Sequence, residues 1–289
     1  MMSLKRPIPR KQVILMIGLL LLLGVAVYFA AFLPSADWYT TFDPAARGIF
    51  SGHSPYEQPV FLNPPWAILL LLPFMVFDPV TAHGLFFVVS ALALIFMAWK
   101  LHAPPLAMAA LMLSPTAVGA LLVGNLDALV YLGMLLQPVY GLFLLMIKPQ
   151  VGGAVFIYYL VTTWQQSRFA GVVRTFSPIT IAYVVAGLIF PVFIDRIIHK
   201  PSTDAWNRSL FPYAIPLGLF FLWLAFRKKN AYFALAATAF LTPYLTFYSY
   251  LAVQLALLHE DVEKVIRRDL LQFILAVFLW VIVFVFHPG

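Results

Sequence analysis

Long apolar runs separated by short polar breaks make up almost the whole chain. The runs are continuous, so the pattern predicts helices and excludes the alternating strands of a porin-like barrel. The predicted apolar segments are residues 13–33, 79–99, 104–122, 126–137, 139–147, 151–166, 176–194, 210–226, 231–242, 246–258 and 270–286. Several are shorter than the ~20 residues that a helix needs to cross a bilayer. The pieces within 126–147 and 231–258 are therefore either paired short helices that reach an internal polar pocket, or longer helices wrongly divided.

Composition places these helices in a membrane. Of the 289 residues, 63% are hydrophobic and 10% are charged, whereas soluble domains have roughly 45–50% apolar and about 25% charged residues. We therefore predict an all-α polytopic membrane protein, a single domain over residues 1–289 with about eleven spans. Cysteine is absent, which excludes disulfides and thiolate sites. The net charge of +7 comes from short basic clusters between apolar runs, which is typical of cytoplasmic loops and does not indicate nucleic-acid binding.

The basic clusters also predict the orientation of the chain. The first cluster consists of Lys5, Arg6, Arg10 and Lys11. It precedes a run longer than the ~7–15 apolar residues of a signal peptide, so we expect an uncleaved span with a cytoplasmic N-terminus. Alternation of the later clusters makes residues 64–77 a short re-entrant or interfacial helix. Two loops, 34–65 and 195–209, then face outwards, and we expect the membrane to be that of a prokaryotic cell.

The first outer loop, residues 34–65, is polar and aromatic. Asp37 lies just beyond the predicted outer end of the first span, and residues 43–51 predict a short interfacial helix with Asp43 as its cap and Pro44 in its first turn. The aromatic residues, of a kind that favours the headgroup level, are Trp38, Tyr39, Phe42, Phe50 and Tyr56. The loop is either an aromatic anchor with solvated carboxylates, or it holds a carboxylate at the membrane surface as a general base. Composition does not decide between these.

Other polar breaks interrupt the apolar runs. In GNLD, residues 124–127, Asn125 is either a helix cap or part of a polar site. In KPQ, residues 148–150, a lysine lies on the predicted outer side against the positive-inside pattern, which favours an anionic partner, with snorkelling to the headgroups as the alternative. The polar-aromatic break at 242–250 is equally explained by a kinked helix. Residues 259–263, HEDVE, begin like a zinc-protease motif but lack its second histidine, so no metal site is predicted.

These motifs form an ordered set along most of residues 30–255. The set consists of Asp37, Ala45-Ala46-Arg47, Gly52, Pro55-Tyr56, Asn63-Pro64-Pro65, Ser114-Pro115, Gly124-Asn125, Lys148-Pro149-Gln150 and Thr242-Pro243-Tyr244. It resembles glycosyltransferase family 87, the polyprenol-phosphate-mannose-dependent α-mannosyltransferases of the GT-C fold. The chain is shorter than is usual in that family, and it has Asn63 where the family often has a tyrosine.

The resemblance implies a GT-C-like helical bundle and a role for each motif. Asp37 would be the general base that takes the proton from an acceptor hydroxyl, with inversion at the sugar. Lys148 and Arg47 would stabilise the charge on the departing lipid phosphate. The residues implied to bind the acceptor or the sugar are Trp38, Tyr56, Asn125, Asp127, Gln150 and Tyr244. The donor would be a polyprenyl-phosphate-linked sugar, so no nucleotide, metal or other cofactor is expected; the partners would be membrane lipids, this donor and an unidentified acceptor.

Two other classes of function stay open from the residues. A transporter of lipids or small molecules would show a repeated half with broken helices meeting at the midplane, and we find no such repeat. An accessory subunit that kept the fold and lost activity would have its groove filled by protein side chains.

Overall fold

The computed structural model describes residues 37–198, 206–263 and 267–286. Over these ranges the chain folds into helices joined by turns, with no strand, which confirms the all-α prediction. The predicted first span at 13–33, its flanking basic residues and part of the second outer loop lie outside the described residues.

The helices follow the apolar runs closely. The α-helices in the described ranges are α1 Asp43–Phe50, α2 Pro79–Lys100, α3 Pro105–Met112, α4 Pro115–Leu122, α5 Asp127–Tyr131, α6 Pro138–Leu145, α7 Pro149–Ile189, α8 Pro191–Ile198, α9 Ile215–Lys228, α10 Ala231–Leu241, α11 Leu251–Leu257, α12 Glu260–Glu263 and α13 Arg268–Phe286. A π-helix at Trp38–Phe42 leads into α1, and short 3₁₀-helices lie at Pro55–Glu57, Pro65–Leu70, Leu72–Phe74, Leu132–Leu135 and Phe247–Tyr250. Each apolar run predicted between residues 79 and 286 coincides with one or two of these helices.

Proline decides where many of these helices begin. Most α-helices between residues 79 and 198 start on a proline, whose fixed φ suits the first turn and whose missing N–H is not needed there. The residue before a proline is pushed into an extended conformation. Ser114 adopts it, and its hydroxyl caps α4 by accepting a hydrogen bond from the N–H of Ala117 at 3.3 Å. The predicted run 104–122 is therefore cut into α3 and α4, which are bent by 53°.

Few of the described helices have the length of a membrane span. Among them α2 and α7 are long and apolar enough to cross a bilayer, and the bent pair α3–α4 makes a third if it is one span. Helix α7 joins the predicted runs 151–166 and 176–194 and is broken at Arg168, where φ is 53°. Residues 65–74 form only 3₁₀-helices, which agrees with a short helix in place of a crossing. The larger span count stays a prediction.

Two glycines shape the turns that carry polar residues into the bundle. Gly124 has a φ of 70°, a left-handed conformation that suits glycine, and it turns the chain out of α4 just before Asn125. Gly152 lies in the first turn of α7, where a Cβ atom would be 2.5 Å from the carbonyl oxygen of Leu145. This close contact holds the start of α7, next to Lys148, against the end of α6.

Candidate functional site

An open cleft of about 980 Å³ lies between segments that are far apart in sequence. Its lining comes mainly from Asp37, from residues 40–42, and from residues within 60–64, 123–125, 147–150 and 242–248. The predicted site residues that line it are Asp37, Asn125, Lys148, Gln150 and Tyr244. The first outer loop, the GN turn, the KPQ turn and the polar-aromatic break therefore meet at one place.

Asp37 is held by one of its two carboxylate oxygens. Oδ2 accepts hydrogen bonds from Asn125 Nδ2 at 2.6 Å and from the Tyr248 hydroxyl at 2.8 Å. Oδ1 accepts none from the described residues and is not a buried atom. The next residue, Trp38, fixes the backbone here: its N–H bonds to the Val123 carbonyl at 3.1 Å. Asp37 thus offers one unoccupied carboxylate oxygen from a fixed position on the cleft.

Trp38 is the anchor of this arrangement and not part of the cleft lining. Its side chain is fully buried, its indole N–H donates to the Pro79 carbonyl at 3.2 Å, and its ring packs 4.9 Å from Phe86 and 5.8 Å from His83. A ring enclosed in this way has no face left for a sugar. The π-helix that begins at Trp38 is a rare conformation found often at functional sites.

Lys148 forms a buried ion pair beside Asp37. Its Nζ donates to Asn125 Oδ1 at 2.6 Å and contacts Asp127 Oδ1. The other oxygen of Asp127 accepts from the Ser249 hydroxyl at 2.6 Å. Asp127, which was predicted to bind the sugar or acceptor, is fully buried as the counter-ion of Lys148 and does not line the cleft. An ammonium has three N–H donors, and these two contacts leave one; the ammonium also lies 5.4 Å from the centre of the Tyr248 ring.

The backbone on which Lys148 stands is tied to the first outer loop. Asn63 Nδ2 donates to the carbonyl of Ile147 at 3.0 Å, and the Tyr56 hydroxyl donates to the carbonyl of Asn63 at 2.9 Å. Tyr56, which was predicted to bind the sugar or acceptor, is buried and does not line the cleft. In the structure its hydroxyl supports the loop.

Arg47 also lies away from the cleft lining. Its Nε donates to both oxygens of Asp43, at 2.9 and 3.0 Å, and its other nitrogens donate to the carbonyls of Met75 and Phe77 at 3.2 and 2.7 Å. Three of its five N–H donors thus bond to protein acceptors, and the structure does not bring Arg47 to the cleft where Lys148 lies. The prediction of Asp43 as a cap is wrong: Phe42 is the N-cap, and the Asp43 side chain caps nothing.

The second outer loop contributes a wall of the cleft that sequence reasoning did not assign. Arg196 Nη1 donates to the carbonyls of Gln58 and Phe61 at 2.5 and 3.1 Å, and so fastens the first loop. The Asn207 side chain binds the polar-aromatic break: it donates to the Pro243 carbonyl at 3.0 Å and accepts from the Leu245 N–H at 3.1 Å. The backbone of Arg208, which also lines the cleft, bonds to the Leu245 carbonyl at 2.7 Å.

Tyr248 and Ser249 are central residues that the sequence did not single out, and Asn63 was named in a motif without a role. Tyr248 and Ser249 lie inside the polar-aromatic break at 242–250, and Asn63 belongs to the NPP motif, so both regions were marked without these side chains being assigned. The polar-aromatic break contains several tyrosines, and the sequence does not indicate which of them faces Asp37. Tyr248 and Asp37 are separated by 211 positions.

Within the described ranges no three or more His, Cys, Asp or Glu residues come together as a metal site would require. Comparison of the chain with family models, with curated proteins and with solved structures gave no match in any of the three.

Proposed function

We propose that this chain is a membrane glycosyltransferase, which moves a hexose from a polyprenyl-phosphate donor to an acceptor hydroxyl with inversion. The observation that supports it is the meeting of Asp37, with Oδ1 unoccupied, and the charged Lys148 across one shared amide, on a single open cleft. This is a base and a cation side by side, which an inverting displacement at a phosphate-linked sugar requires.

The reaction assigns one step to each of these groups. The acceptor oxygen attacks the anomeric carbon, its proton passes to Asp37 Oδ1, and the bond between the carbon and the phosphate oxygen breaks with its electron pair going to the phosphate. Lys148 uses its remaining N–H to stabilise the charge that gathers on that phosphate. The lipid phosphate then leaves without any nucleotide.

The cleft lining also suits a lipid-linked donor. Among the apolar residues on the same lining as the charged groups, Val60 is exposed and Leu62 is half-buried. A polyprenyl chain needs an apolar surface next to its phosphate, and these residues supply one. The resemblance to family 87 favours mannose as the sugar. We place the cleft on the outer face of a prokaryotic cell membrane, with a lipid, glycan or protein as acceptor.

The transporter and the inactive subunit are less well supported. A groove filled by side chains would favour the inactive subunit, whereas the described residues leave the cleft open. No observation on the described chain favours a carrier that alternates between two faces. We therefore retain the transferase as the single proposal.

The test is transfer from a radiolabelled polyprenyl-phosphate mannose by the purified full chain, with membrane lipid extract as acceptor. Asp37→Asn is expected to lower the rate by about 10²–10⁴-fold, the usual contribution of a general base. Asp43→Asn is the matched control, because it removes a carboxylate of the same loop that binds only Arg47. Transfer by Asp37→Asn at the wild-type rate would exclude Asp37 as the base; no transfer by the wild-type chain from any polyprenyl-phosphate sugar would reject the function.

A further inference from the structure

We infer that Asn125 is the positioning residue that fixes the carboxylate of Asp37 relative to the ammonium of Lys148, and that it contacts no substrate. The inference rests on the proposed function for its kinetic consequences, but its structural basis is independent of it. Asn125 is the residue of the described chain whose side chain bonds to both charged groups: Nδ2 to Asp37 and Oδ1 to Lys148, each at 2.6 Å.

The amide of Asn125 is fully used. A side-chain amide has two N–H donors and an oxygen with two lone pairs. Nδ2 donates to Asp37 and to the Tyr248 hydroxyl at 2.7 Å, and Oδ1 accepts from Lys148 and from the backbone N–H of Asp127 at 3.1 Å. All four positions are taken, so no position is left for a sugar hydroxyl. The inference therefore gives Asn125 a positioning role in place of the predicted binding of sugar or acceptor.

The four partners also decide which way the amide faces. The reverse orientation would place the amide oxygen against the Asp37 carboxylate and the NH₂ group against the Lys148 ammonium, and each of these contacts is repulsive. The amide therefore has one stable orientation, in which its dipole runs from the carboxylate to the ammonium. Since the side chain is 3% exposed, water does not compete for these bonds.

Backbone hydrogen bonds also fix the position of Asn125. Its N–H donates to the carbonyl of Ala120 at 3.0 Å, and the N–H of Gly124 donates to Leu121 at 3.2 Å, which closes the end of α4. The positive φ of Gly124 sets the direction of this turn. The amide thus extends from a fixed point towards both charged groups, and the separation of base and cation depends on it.

Kinetics distinguish a positioning residue from a substrate contact. Asn125→Ala releases both charged groups and removes no contact to the donor or acceptor. We expect kcat to fall by about a hundredfold, as small misplacements of reacting groups do, while KM for both substrates stays within about twofold of wild type. Asn125→Asp is expected to be worse, because it puts a second carboxylate beside Asp37 Oδ2. Tyr248→Phe, which removes one bond to Asp37 and one to Asn125, is expected to have a smaller effect on kcat.

The matched control is Gln137→Ala, which removes an exposed amide that makes no side-chain hydrogen bond. It is expected to leave kcat and KM unchanged. A tenfold rise in KM for either substrate in Asn125→Ala, with kcat unchanged, would overturn the inference, because it would show that the amide binds substrate.

A second measurement does not need turnover. We expect the shifts in thermal unfolding midpoint of Asn125→Ala and Lys148→Met to be non-additive in the double variant, because both break one network, whereas those of Gln137→Ala and Lys148→Met add. Additive shifts for Asn125 and Lys148 would overturn the inference. If the wild-type chain transfers no sugar but the shifts are non-additive, the proposed function fails and the connecting role of Asn125 stands.

Discussion

The two ion pairs Asp43–Arg47 and Asp127–Lys148 place their cations in different surroundings. The first pair is four residues apart on one helix, with side chains 32% exposed for Arg47 and 8% for Asp43. The second joins two separate turns, with side chains 7% exposed for Lys148 and 0% for Asp127. Arg47 bonds to Asp43 and to two backbone carbonyls and lies away from the cleft, whereas Lys148 lines the cleft. The difference teaches that position on the cleft, and not the presence of a cation near a carboxylate, separates the two cations.

The largest effect is expected at Lys148 itself. Lys148→Met should lower sugar transfer by about a hundredfold or more, because a stabiliser of the developing phosphate charge is lost. Arg47→Met should leave the rate per folded molecule within about threefold, since Arg47 touches only protein groups. The measurement is initial rate in the same radiolabelled assay.

Loss of folding must be separated from loss of chemistry in this test. Lys148→Met leaves the Asp127 carboxylate buried without its counter-ion, so the double variant with Asp127→Asn, which removes both charges, is the better probe. It should fold and stay inactive. Wild-type rates in that double variant, or equal losses in the Arg47 and Lys148 variants, would remove the distinction between the two pairs.

Both cations lie in motifs of the sequence, and their local sequence does not rank them. The motif order located Asp37, Lys148 and Gln150 on the cleft, since each lies at a polar break between apolar runs. It also placed Trp38, Tyr56 and Asp127 there, because an aromatic or acidic residue near a motif looks the same whether it faces a ligand or the core. Whether Asp127 turns inwards depends on Ser249 and Lys148, which lie 122 and 21 positions away. Local sequence does not encode such contacts.

The helices were predictable for a physical reason that also explains why one apolar run can form two helices. Continuous apolar runs specify helices wherever they occur, but prolines such as Pro115 end the helix before them and start a new one. Length of an apolar run thus overstates the length of the helix, as the bend between α3 and α4 shows. The short pieces that result are those that end at the cleft, at Asn125 after α4 and at Lys148 after α6.

The two ion pairs are also expected to differ in how much they contribute to the free energy of unfolding. Asp127→Asn leaves a buried ammonium without its counter-charge and is expected to lower the free energy of unfolding by about 3–5 kcal/mol. Asp43→Asn breaks a pair with a partly exposed partner and should cost about 1 kcal/mol or less. Reversible unfolding of the full chain in mixed detergent, followed by tryptophan fluorescence, measures both. Equal losses would mean that burial does not distinguish the pairs.

The smallest effect is expected at Asp78. Like Asp43, it bonds to groups close to it in sequence, but these lie at the start of helix α2 and do not include a cation. Hydrogen bonds from Thr81 and from the N–H of Val80 hold the pKa of Asp78 below its ordinary value of 3.8.

Because the folded-state pKa is lowered, the charged form contributes stability above the unfolded pKa, and this contribution is lost as the pH falls through the folded pKa. Asp78→Asn keeps the capping oxygen and loses the charge, so its unfolding midpoint should lie slightly below that of wild type near neutral pH and converge with it as the pH falls through the folded-state pKa. Asp78→Ala removes the cap and should stay below wild type at neutral and at acidic pH. A gap between wild type and Asp78→Asn that widens on acidification would contradict the assignment, because it would require the neutral carboxyl to cap α2 better than the carboxylate does.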